Sequence, residues 1–124
     1  MNSRELSPGE WKTFFDAFSR RFQGVPVTVD LGDPPDGRAD PVARQLPLLG
    51  VTVEPASGPA ESIAIMAGDA PGENVVHVVR QPRRVTVAQV TNGEDDLLII
   101  DAVDGPATRI DFRAAKARAT AHFV

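Results

Sequence analysis

The chain has no cysteine and no tyrosine, only two histidines (His77 and His122), and two lysines against eleven arginines in 124 residues. Without cysteine there are no disulfides and no thiolate metal sites, which accords with a reducing compartment. The strongest side-chain nucleophile is also missing. Charge of either sign is not in large excess: the net charge is −4, and acids and bases mix along the whole chain. Neither half is basic enough to suggest a nucleic-acid partner. No apolar run approaches the ~20 residues of a membrane span, and the opening Met-Asn-Ser-Arg-Glu-Leu lacks the apolar stretch of a signal peptide. The expectation is a cytoplasmic protein with no membrane or nucleic-acid partner. The length is that of one domain, enough for a single core without staples. Arginine, alanine, valine and proline are all abundant, a bias associated with GC-rich bacterial coding.

What is present begins with a helix. Five of the seven aromatic residues, Trp11, Phe14, Phe15, Phe18 and Phe22, recur at i, i+3, i+4, i+7 and i+11, one face of an α-helix. Ser7 and Glu10 have capping-box spacing, and Pro8 falls at the first helical position. Leu6 and Trp11 take the two positions of a hydrophobic staple. Arg20 and Arg21 suit the negative end of the helix dipole, and Gly24 suits a left-handed terminator. These signals predict a helix over about 8–23 whose aromatic face is core.

After Gly24 the period changes from 3.6 to 2. Val25, Val27, Val29 and Leu31 alternate with polar residues or proline as a first strand. Residues 32–41 read as a loop. A second extended segment runs from about Val42 to Glu54, with Pro47 making it an edge strand or breaking it in two. Residues 55–60 are another turn. Ile63, Ile65 and Ala67 begin a third strand, ended at 68–72. Residues 74–80 fit a short strand or a helical turn, and their β-branching favours strand. The last third is a meander. Val85 to Thr91 and Leu97 to Val103 flank Asn92-Gly93, a strong hairpin signal, and Thr108 to Phe112 follows Asp104-Gly105.

Register can be argued for the meander. A two-residue turn at Asn92-Gly93 sets Val85 opposite Ile100 and Val87 opposite Leu98. A three-residue loop at 104–106 sets Ile110 opposite Ile100 and Phe112 opposite Leu98. A two-residue loop would instead bury Arg109 and Asp111, at several kcal/mol each unless paired. The predicted core face is Val85, Val87, Leu98, Ile100, Ile110 and Phe112. The other face carries Asp101, Arg109 and Asp111, and also Val90, Leu97 and Ile99, an apolar strip that is either a candidate interface for a second copy or another protein or is covered by the tail after Arg113 or another local segment. Residues 1–113 form one α+β domain; the Ala-rich 114–124 is a tail, read as a frayed helix or a disordered end.

Candidate chemistry is sparse. Asp69, Glu73 and His77 would share a helix face and grip a metal, but Pro71-Gly72 breaks such a helix. Asp33, Asp36 and Asp40 fail the spacing of a calcium loop. No metal or cofactor is therefore expected. Glu94-Asp95-Asp96 reads as a charged hairpin tip that keeps a strand end soluble. Ser57 lacks a nucleophile elbow, and no glycine-rich phosphate loop occurs. Arg80, Arg83 and Arg84 form a basic knot that either neutralises nearby acids or holds an anion.

Four stretches, Leu6 to Asp30, Leu46 to Val53, His77 to Gln89 and Leu98 to Arg113, occur in an order that resembles a family of small bacterial proteins recorded only as a domain of unknown function. The H-x-x-x-x-P-R-x-V pattern of His77 to Val85 is the most specific part. The resemblance implies a bacterial, soluble, stand-alone domain and no activity or cofactor. The tail after Arg113 departs from the shorter endings of such proteins. The reading is α+β: one N-terminal aromatic helix packed on a curved or barrel-like antiparallel sheet of five to seven strands. A non-enzymatic binding or interaction domain is preferred. The alternative is a small enzyme or ligand-binding barrel that uses His77 with Arg80, Arg83 and Arg84, and a pocket lined by His77 would favour it.

Overall fold

The computed structural model describes residues 2–32, 40–54, 62–68, 74–91 and 94–112. Most of the loops expected at 32–41 and 68–72, the turns at 55–60 and 92–93, and the tail 114–124 lie outside them, while residues 40 and 41 of the first loop already belong to a strand. The helix starts as anticipated but more tightly: one 3-10 turn, Pro8–Glu10, leads into α1, Trp11–Phe22. The Glu10 carboxylate accepts the Ser7 N–H at 2.9 Å and the Ser7 hydroxyl at 2.8 Å. Those bonds hold the carboxyl below its usual pKa, the backbone N–H contributing most. Leu6 and Trp11 are both buried, and the indole N–H donates to the Leu6 carbonyl at 3.2 Å.

Eight strands follow one another as β1 Asn2–Leu6, β2 Pro26–Leu31, β3 Asp40–Glu54, β4 Ser62–Ala67, β5 Val75–Arg80, β6 Pro82–Thr91, β7 Glu94–Ala102 and β8 Thr108–Asp111. They form one antiparallel sheet in the order β1-β6-β7-β8-β2-β3-β4-β5. The architecture is α+β as expected, but the sheet does not close into a barrel. It also has one strand more than the five to seven expected. The addition is β1, a polar five-residue segment with no alternating apolar pattern, stabilised by pairing along β6.

Two residues turn the sheet's corners. Gln45 and Gln81 have φ of 50° and 53°, a left-handed conformation unusual for a side chain with a Cβ. Pro47 does not make β3 an edge strand in the final order. Instead β3 changes neighbours there: its first half pairs with β2 and its second half with β4. The Gln45 N–H and side-chain amide both donate to the Thr28 hydroxyl, at 3.2 and 3.0 Å, where the β2–β3 ladder is irregular. Gln81 alone joins β5 to β6, and its carbonyl accepts the Val103 N–H at 3.0 Å.

α1 packs mainly on β3 and buries Trp11, Phe15, Phe18 and Phe22. Phe18 and Phe22 also meet Phe112, with ring centroids 5.0 and 5.2 Å apart. Ser19 ties the helix to β3: its hydroxyl accepts the Val51 N–H at 2.9 Å and donates to the Val51 carbonyl at 3.2 Å. Beneath the helix, Val27, Val29, Ile63, Ile65, Val85, Val87, Leu98, Ile100 and Ile110 complete the core.

The meander confirms one register and corrects the other. Val85 pairs with Ile100 and Val87 with Leu98, as argued. In β7–β8, however, Leu98 pairs with Ile110 and Ile100 with Thr108. The connection is the five residues 103–107 rather than three, because the Val103 N–H is drawn to Gln81 instead of continuing the hairpin. A two-residue slip preserves which face each side chain occupies, so all six predicted core residues are buried despite the wrong partners.

Phe18→Ala is expected to lower stability by about 3–5 kcal/mol. Lys12→Ala, which removes only an exposed i,i+4 pair with Asp16, should cost about 0.5 kcal/mol or less. Urea unfolding midpoints of the two variants check this; similar midpoints would refute the core assignment of the helix.

Candidate functional site

β5 is an edge strand with two unlike faces. Val75, His77 and Val79 turn inward, while Val76, Val78 and Arg80 turn to solvent. The alternation is the ordinary period of two. It carries the His77 ring over the inner end of β8, where Nε2 lies 3.0 Å from the Thr108 hydroxyl oxygen. Thr108 is 1% exposed and is the one buried polar side chain among the described residues. Its inward direction follows from parity with Ile110 on the same strand. The bond to His77 satisfies a hydroxyl whose unpaired burial would cost about 1–3 kcal/mol.

Beside this pair lies a half-open pocket of about 270 Å³. Residues 77–80 of β5 form one wall. Ala102, Asp104 and Pro106, at the end of β7 and in the loop after it, form the other, with Leu31 and Thr108 completing the lining. The site therefore occupies the seam where the curled sheet fails to close. That volume lies just below the range of drug-sized pockets, about 300–1,000 Å³. Burial lowers the His77 pKa from its ordinary 6.5, so the ring favours its neutral form.

The candidates of the sequence are only partly assembled. His77 and Arg80 line the pocket; Arg83 and Arg84 do not. The turn at Gln81 places those two on β6, where Arg84 Nε reaches Glu5 Oε1 of β1 at 3.4 Å. The basic knot is thus divided between two places. Of the apolar strip, Leu97 is 7% exposed and Ile99 is half-buried, so neither stands fully open to solvent. The side chain of Val90 lies outside those described. Exposed large apolar groups sit instead at Val76 (60%) and Val78 (40%), on the outer face of edge strand β5, and at Leu49 and Val103. No group of three potential metal ligands occurs among the described residues; Asp33, Asp36, Asp69 and Glu73 fall outside them. No helix among the described residues is long and apolar enough to cross a membrane.

The segment His77 to Val85, the most specific stretch of the sequence, thus supplies one wall of the pocket and the corner beside it. The chain belongs to DUF5335, a family of unknown function. The match spans residues 2–120 and so includes every residue of the pocket. No curated protein and no solved structure matches the chain. Thr108 and Asp104 are the site residues that sequence reasoning missed. For Thr108 a signal existed, its parity with Ile110 and Phe112; for Asp104 there was none, since it reads as an ordinary turn residue.

Because the folded His77 pKa lies below its unfolded value, the unfolded state binds the extra proton first. Stability should be undiminished well above pH 6.5 and fall as pH drops from 6.5 through the folded pKa. Glu10 acts in a lower window: its stabilisation is present above 4.5 and is lost as pH falls through its depressed value. Urea midpoints between about pH 3 and pH 8 should show both declines. His77→Gln should remove the upper decline and leave the lower; an unchanged upper decline would show that another group causes it.

Proposed function

We propose that this chain is a non-enzymatic binding domain that takes a small polar ligand in the seam pocket, with His77 at its floor and Arg80 at its rim. The observation that carries this reading is the part-buried His77–Thr108 pair, a polar spot in an otherwise mainly apolar lining. A few oriented polar groups in an apolar concavity are what specific small-molecule sites require. The pair is a poor catalytic dyad. A histidine 3.0 Å from a hydroxyl has the spacing of a base and a nucleophile. But Thr108 is almost wholly buried, and among the described residues no hydrogen bond joins a carboxylate to the other ring nitrogen. The cysteine-free, arginine-rich composition fits a bacterial cytoplasmic setting.

NMR of the His77 ring tests the binding reading. Among small carboxylates, phosphates, amines and zwitterions, at least one should shift the His77 ring protons saturably. The His77→Gln spectrum assigns those signals against His122, and Thr108→Val should weaken the response. No saturable shift from any of these compounds would overturn the reading.

A second reading keeps a protein contact but moves it from Val90, Leu97 and Ile99 to the outer face of β5. Its support is Val76 and Val78, large exposed apolar groups on an edge strand. It predicts a species larger than one chain in light scattering, reduced to one chain by Val76→Thr with Val78→Thr. A wild type of single-chain mass would remove self-association through this edge.

A further inference from the structure

Arg80 and Asp104 line the same pocket from different elements, one on β5 and one in the loop between β7 and β8. Both are exposed, and among the described residues neither side chain makes an ion pair or hydrogen bond. Two opposite charges in the lining of one pocket that do not pair with each other make that lining bipolar. A simple anion attracted by Arg80 would meet the carboxylate of Asp104. A simple cation attracted by Asp104 would meet the guanidinium. One kind of ligand satisfies both walls at once.

We infer that the pocket takes a small zwitterion with an apolar body, of the class of an aliphatic α-amino acid. This deepens the binding reading above and rests on it. The guanidinium of Arg80 offers the forked donors that suit a carboxylate, and Asp104 accepts from an ammonium group. Leu31, Val79, Ala102 and Pro106 provide the apolar surface for a side chain. His77, neutral near pH 7, and Thr108 add polar contacts at the floor without adding charge. The volume suits a molecule of this size and leaves little room for a longer peptide. Because both charged groups are exposed, each contact contributes modestly, and discrimination comes from requiring two together.

A matched series separates the contributions: leucine, isovalerate, which keeps the acid and the branched body, and isoamylamine, which keeps the amine and the body. Each is titrated against the full chain at pH 7.5 while the His77 ring signals are followed. Leucine should bind saturably, and each single-charge analogue should bind about fivefold more weakly or worse, the factor that one exposed ion pair supplies. Arg80→Gln should bring leucine down to the level of isoamylamine. Asp104→Asn should bring it down to the level of isovalerate. Both positions are exposed, so these variants should keep the wild-type unfolding midpoint. Isovalerate or isoamylamine binding as tightly as leucine would overturn the zwitterion while leaving the pocket as a binding site. No response of His77 to any of the three, with none from the wider compound set either, would overturn both.

Discussion

β5 stands at one end of the strand order and β6 next to the other, yet a single residue, Gln81, joins them. Eight strands at about 4.8 Å spacing cannot satisfy that connection as a flat sheet. The sheet must curl until its last strand returns to its second. Gln81 achieves the change of direction by adopting a left-handed backbone, and the Val103 N–H bonded to its carbonyl pins the end of β7 beside the corner. The second corner, at Gln45 and Pro47, lets β3 leave β2 for β4. The aromatic face of α1 then covers the concave side. Helix, core and pocket are all consequences of this curl.

The curl stops short of closure, and function is most readily sought at that gap. β5 approaches β8 through side chains rather than a backbone ladder. The His77–Thr108 bond is the polar part of that approach. A hydrogen bond of this kind contributes about 1 kcal/mol net, while an aliphatic pair there would remove the need to desolvate either group. The chain thus keeps a polar pair where an apolar one would pack at no such cost. The same seam brings together charges from distant parts of the sequence, Arg80 and Asp104, whose side chains pair with no other described residue.

Much of the fold was legible because it rests on local periodicity. The spacing from Trp11 to Phe22 identified the helix and its buried face. The alternation around Val27, Ile63, Val85, Ile100 and Ile110 identified the strands and their inward sides. β1 was not legible, since Asn2–Leu6 carries no alternation and is ordered by its neighbour. Of the site, His77 and Arg80 were legible as unusual residues in a motif. Their separation from Arg83 and Arg84 was not, because glutamine at 81 carries no mark of a left-handed corner.

The sequence by itself determined the helix, the inward sides of the strands around Val27, Ile63, Val85, Ile100 and Ile110, and the hairpin register at Asn92-Gly93, because each depends on residues adjacent or nearly adjacent in the chain. It also determined the chemistry excluded by composition, thiolate ligation above all. Tertiary structure alone decided the β7–β8 register, the burial of Leu97 and the seam that makes a pocket of β5, β8 and the intervening loop. Those features depend on where the chain bends and on which distant carbonyl receives the Val103 N–H, and local pattern carries no record of either.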